Sequence, residues 1–251
     1  MIESQTWRRK GGLAMWNYDL WSSIAAEESI RLLRDIQQRK NWLAARVCRA
    51  IYALKGFARA EEVSIWTLSS GEDTHVMNLG TKGALAKLER ILHCTSDITD
   101  VQFSLTLLVA ALSPNGEVEE YEIDGGADLS FYIELDESGE LDVSLEPPIW
   151  VTFSLDVDIY APVSWGQIRD NSKLASLNHP RLSGFLQRLE HDLPAKLMSI
   201  DADNYQGMID SHGFFAAKTK NLSSRTIASR NPSWISQAIP PTQALINAQA
   251  A

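Results

Sequence analysis

Residues 150–160, WVTFSLDVDIY, alternate apolar and polar side chains without a break. A period of two marks a β-strand with one buried and one solvated face, so Val151, Phe153, Leu155, Val157 and Ile159 are expected to face a core. The opposite side would carry Trp150, Thr152, Ser154, Asp156, Asp158 and Tyr160. The same rhythm extends back to Val101, broken by turn signals at Pro114-Asn115-Gly116, Asp124-Gly125-Gly126, Glu137-Ser138-Gly139 and Pro147-Pro148. Glycine, proline, asparagine and aspartate at short intervals predict hairpin turns. The stretch therefore reads as an antiparallel β-meander over about 101–160, with strands near 101–112, 117–123, 128–136, 140–146 and 150–160. Phe131, Ile133, Leu135, Leu141, Val143 and Leu145 join the core side, and Tyr132, Glu134, Asp136, Asp142, Ser144 and Glu146 the polar side.

Amphipathic helices are expected on both flanks of the meander. In residues 22–59, Ile30, Leu33, Ile36, Leu43, Val47, Ile51 and Leu54 recur at spacings of three, four and seven, one apolar helix stripe, with a break near Lys40 and Asn41. Residues 62–68, EVSIWTL, alternate as a strand, and 83–94, GALAKLERILHC, return to helical spacing. A second long helix is expected over about 180–200, starting at Pro180 and kinked by Pro194. Residues 1–21 remain an N-terminal segment, and from Gly213 to Ala251 the periodicity fades into an irregular, partly disordered tail. The simplest architecture is a single α+β domain over 1–251 with helices packed on one face of the sheet.

Charge is distributed unevenly. The chain carries a net charge of −9, yet residues 91–167 contain sixteen carboxylates and neither Lys nor Arg. Both flanks are weakly basic, and Arg31, Arg34, Arg39, Arg46 and Arg49 decorate the first helical region. A negative total argues against nucleic acid as a partner. The longest apolar run, Leu105 to Leu112, has eight residues including Thr106, far short of the roughly 20 a spanning helix needs. The start, MIESQTWRRKGGLAMW, lacks a secretory apolar region. Cys48 and Cys94 are too few for a disulfide framework and are expected to be mostly buried free thiols. A cytoplasmic protein away from membranes is the expectation.

No motif fixes a chemistry. Gly80-Thr81-Lys82-Gly83 echoes a phosphate loop without its spacing, and His191-Asp192 lacks the outer ligands of a metal motif. No CxxC, HxxxH or HExxH pattern points to zinc, and no GxSxG elbow to a nucleophile. Asp156 and Asp158, two apart on a strand, would share a face, as in strands that hold the divalent ions of nucleotidyl or phosphoryl transferases. No Gly-Ser turn precedes them, and Glu134 with Asp136 repeats the pair. Solvated acids on an exposed sheet face explain both pairs.

The regional charge carries more weight than any single residue. Like charges gathered on one sheet face repel, so the basic flanks neutralise them or a basic partner does. The expectation is a protein-binding module without a cofactor or metal and more plausibly not an enzyme: an acidic inhibitor or immunity-type protein that neutralises a basic toxin or nuclease. Its partner-binding residues would be Tyr132, Glu134, Asp136, Asp142, Trp150, Asp156, Asp158 and Tyr160. The alternatives are a metal-dependent transferase using Asp156 and Asp158, or a structural subunit held through Trp7, Trp16 and Trp21.

Overall fold

Eleven residues expected to lie outside the sheet, Arg9–Asp19, form its first strand, β1. Ala14, Trp16 and Tyr18 alternate along it and are fully buried. Helices α1 (Ala26–Arg34) and α2 (Ile36–Ala53) follow. They divide at Asp35, not at Lys40 and Asn41, because Asp35 is extended and its carboxylate accepts from the backbone N–H groups of Gln37 and Gln38. An N-cap of this kind satisfies donors that a continuous helix would supply with carbonyls. The chain continues through β2 (Ala58–Thr67), β3 (Asp73–Asn78), α3 (Ala84–Cys94), β4 (Ile98–Leu112), β5 (Val118–Ile133) and β6 (Ile149–Val157). A 3-10 turn at Asp158–Tyr160, α4 (Ser172–Asp192), β7 (Lys196–Asp201) and the short pair β8 (Ile209–Asp210) and β9 (Gly213–Phe214) complete it. The computed structural model describes residues 9–70, 73–164, 169–202 and 204–215, without the side chains of 73–76. These fall in the first of two units, Met1–Ala217. Trp7 and the expected irregular tail beyond Phe215 lie outside the described residues.

The protein is α+β: its described residues form a seven-stranded antiparallel sheet with four helices. The strand order is β3-β2-β4-β5-β6-β1-β7, so β4, β5 and β6 are the expected meander. One face is continuous core: Val63, Ile65, Val101, Phe103, Leu129, Phe131, Val151, Phe153 and Trp16 are all fully buried. Against it lie α2, through Val47 and Ala50, and α4, through Leu182, Phe185 and Leu189. Aromatic rings join the layers. Phe57 stacks on Phe185 at 4.5 Å, and Phe153 meets Phe57, Phe185 and Trp16 within 5.7 Å.

Several expected boundaries are corrected. The glycines after Asp124 do not turn the chain: Gly125 takes φ 56°, and the pairing jumps from Leu105↔Ala127 to Leu107↔Ile123, so β5 runs on through a bulge. A Cβ on Gly126 would stand 2.6 Å from a methyl of Leu107, which is why the close approach falls on glycine. Residues 140–146 are not a strand. Only Leu135↔Leu141 pair, and Val143 and Leu145 are about half exposed, at 47% and 50%. Here Asp136 accepts from the N–H of Ser138 and of Glu140, and Asp142 from that of Ser144, local bonds that compete with a sheet ladder. Helix α4 begins eight residues before Pro180 and ends before Pro194, leaving Lys196–Asp201 as a strand rather than the end of a helix. Cys94 is exposed and Cys48 half-buried, contrary to the expectation for both thiols.

Candidate functional site: the open face of the sheet

The face of the sheet opposite the core has no helix on it among the described residues. One polar row crosses six strands in register: Ser64 pairs with Gln102, Gln102 with Ser130, Ser130 with Thr152, Thr152 with Asn17, and Asn17 with Ser199. Side-chain bonds tie part of it together. Thr152 donates to Asn17 Oδ1 at 2.8 Å, and Asn17 Nδ2 donates to Ser199 Oγ and Asp201 Oδ2 at 3.0 Å. On one side of this row Trp66, Asp100, Tyr132 and Trp150 are successive cross-strand partners, with Tyr132 and Trp150 stacked at 5.0 Å. On the other side lie Ser104, Asp128 and Ser154, with Asp156 beyond.

The carboxylates of this face sit in an unfavourable setting. Burial, and after it the charge of Asp156, pushes the Asp128 carboxyl above its ordinary range, against a bond from Ser104. Burial also raises Asp100, and burial with the charges of Asp100 and Asp142 raises Glu134. Among the described residues no Lys or Arg forms an ion pair with Asp100, Asp128, Glu134 or Asp156. Asp156 takes its bond from the backbone N–H of Gly12 at 2.8 Å.

The arginines that form ion pairs do so elsewhere. Arg59 grips Glu122 through both guanidinium ends at 3.0 and 3.1 Å, and Arg181 meets Glu120. Both acids belong to the arm of β5 that continues past the bulge. Of the arginines on the first two helices only Arg39 forms an ion pair with the acidic segment among the described residues, 3.7 Å from Glu140. Lys40 donates to the Cys94 carbonyl, and its charge helps to lower the pKa of Asp97. Self-neutralisation thus covers the arm and one turn and leaves the sheet face charged.

The eight residues expected to form one binding surface divide into three groups. Tyr132, Glu134, Trp150 and Asp156 lie on the open face, as alternation requires. Asp136 and Asp142 lie in the turns beyond β5, where their carboxylates already accept serine hydroxyl and backbone groups; the bond from Ser138 holds Asp136 below its ordinary range. Asp158 and Tyr160 are corrected: β6 ends at Val157, the chain coils into the 3-10 turn, and both side chains are fully buried. Asp156 and Asp158 therefore share no surface. Among the described residues no group of three or more His, Cys, Asp or Glu could hold a metal ion. Sequence reading missed Asp128, although it has the parity of Tyr132, and missed Asp100 by starting the strand at Val101, three residues after its first residue, Ile98.

No family model, curated protein or solved structure matches the chain. No helix among the described residues is long and apolar enough to cross a membrane.

A pH experiment probes the face without a partner. Because the folded-state pKa of Asp128 lies above its unfolded value, the ionised carboxylate weakens the fold at neutral pH, and that penalty fades as pH falls through the folded pKa. Asp128→Asn should raise Tm at pH 7, by about 1–3 °C, with the gain over wild type shrinking toward pH 4. A gain that is constant with pH would refute the electrostatic origin.

Proposed function

We propose that the chain is a protein-binding module whose acidic sheet face receives a basic surface of a partner protein, as an inhibitor or immunity-type protein does. One observation carries the reading: Asp100, Asp128, Glu134 and Asp156 are gathered on one face, raised by burial or placed against one another, with no cation of their own among the described residues. A fold that keeps like charges together at some cost in stability is using them for something other than stability. Tyr132, Trp150 and Trp66 add the aromatic area typical of interface anchors.

The transferase alternative asks for two carboxylates side by side, and Asp158 is not available to Asp156. The structural-subunit alternative asks for accessible tryptophans, and Trp16 is fully buried.

The test is capture of basic proteins from the native cell's lysate on the immobilised chain. Capture should fall at least tenfold between 50 and 300 mM salt, since screening removes surface attraction over about 8 Å at physiological ionic strength. It should fall similarly for Asp128→Lys with Asp156→Lys. The same proteins retained equally by the reversed variant, or at high salt, would count decisively against the acidic face as the interface.

A further inference from the structure

We infer that the groove between α1 and α2, on the helical side of the molecule, is a binding site for a small phosphomonoester. The groove has a volume of about 380 Å³, with Glu28, Arg31, Trp42, Arg46 and Arg49 on its walls. That volume falls within the roughly 300–1,000 Å³ of small-molecule sites and leaves room for an organic body beyond a bare phosphate.

Three guanidiniums face one carboxylate here, a net of two positive charges in a protein whose total is −9. None of the three arginines has an ion-pair partner among the described residues. The second observation is the state of the donors. Among the described residues Trp42 is 8% exposed and its indole N–H has no acceptor, and one buried guanidinium nitrogen of Arg46, Nη1, is equally unpaired. Buried donors normally have partners. Both belong to residues that line one cationic groove, and the three guanidiniums there, without an ion pair among the described residues, point to an acceptor-rich ligand.

Arg46 lies over the Trp42 ring at 5.1 Å, a cation–π contact. Burial first and the charge of Arg49 second hold Arg46 below its ordinary pKa, with Glu28 opposing, so the guanidiniums crowd one another. A dianion relieves that crowding. Arginine forks match phosphate oxygens in pairs, which favours a phosphate over a single carboxylate. Glu28 on the same wall is an acceptor for a hydroxyl of the ligand's body. This site is separate from the acidic sheet face, and its test is independent of that reading.

The experiment titrates the full chain with inorganic phosphate, ribose 5-phosphate and ribose by calorimetry and thermal shift. Phosphate and ribose 5-phosphate should bind saturably and raise Tm, ribose 5-phosphate more strongly, and ribose should do neither. Arg46→Gln should weaken binding at least tenfold. So should Arg31→Gln with Arg49→Gln, an exposed pair whose loss leaves the fold intact. Arg34→Gln, on α1 outside the groove, should bind like wild type. Absence of saturable binding, or equal binding by the groove variants, would overturn the proposal. Citrate binding as tightly as ribose 5-phosphate would overturn the phosphate assignment. Self-association dispersed by phosphate would overturn it in favour of an acidic surface of a second copy.

Discussion

Removal of residues 1–21 is expected to leave a chain that does not fold, and Trp16→Ala to lower stability by about 3–5 kcal/mol. Strand β1 pairs with β6 on one side and β7 on the other, so its loss strips β7 of its one strand partner among the described residues and opens an edge of β6. Trp16, Tyr18 and Leu20 would leave the core with it. The point variant removes the largest fully buried side chain, the tilted contact with Phe153, the edge contact with Phe214 and the indole bond to the Asp210 carbonyl at 2.9 Å. Against a total stability of about 5–15 kcal/mol for a typical domain, that loss is severe. Urea unfolding followed by circular dichroism measures both. A truncated chain with a cooperative transition would show that β1 is dispensable.

The second large effect is expected at Asn178. Strand β2 pairs with β4 only as far as Ala58↔Leu107, so the outer edge of β4 continues without a strand neighbour among the described residues. Asn178 of α4, fully buried, stands in for one: its Oδ1 accepts from the Ala110 N–H at 2.7 Å and its Nδ2 donates to the Ala110 carbonyl at 2.8 Å. The same Nδ2 reaches the Leu174 carbonyl at 2.9 Å. Asn178→Leu keeps the volume and leaves both backbone groups of Ala110 unpaired. At about 1–3 kcal/mol for each of the two unsatisfied buried groups, the loss should be roughly 2–6 kcal/mol. Denaturant unfolding gives the total, and faster hydrogen exchange at Ala110 locates it. A loss below about 0.5 kcal/mol would mean that water replaces the amide there.

How much of this was legible in the chain depends on whether local pattern and tertiary need agreed. The meander was readable because its strands alternate over long runs, as in Ile149–Val157. β1 was not, although Ala14, Trp16 and Tyr18 have the right period, because its first four residues, Arg9 to Gly12, are basic or glycine and do not alternate. β7 was hidden by Leu193 and Leu197, whose spacing of four continues that of Leu189 and imitates one more turn of α4. Residues 140–146 misled in the opposite direction: Leu141, Val143 and Leu145 alternate, but Asp142 and Asp136 bind their own turns. The acidic face was half legible. Parity placed Tyr132, Glu134, Trp150 and Asp156 correctly, and failed at Asp158 and Tyr160 because no sequence signal marked the end of β6 at Val157.

The placement of β1 also bears on how the chain reaches its fold. Thr152 and Ser199 bond to Asn17 across 135 and 182 residues of sequence, and Asp210 bonds to Trp16 across 194. Closing loops of that length before any pairing compensates slows folding, and sheets built on distant partners are slow as a class. During synthesis the first strand must therefore wait, apolar and unpaired, until nearly the whole described fold has been made. The aromatic residues that anchor the finished sheet are, for that interval, the part of the nascent chain most in need of protection from wrong partners.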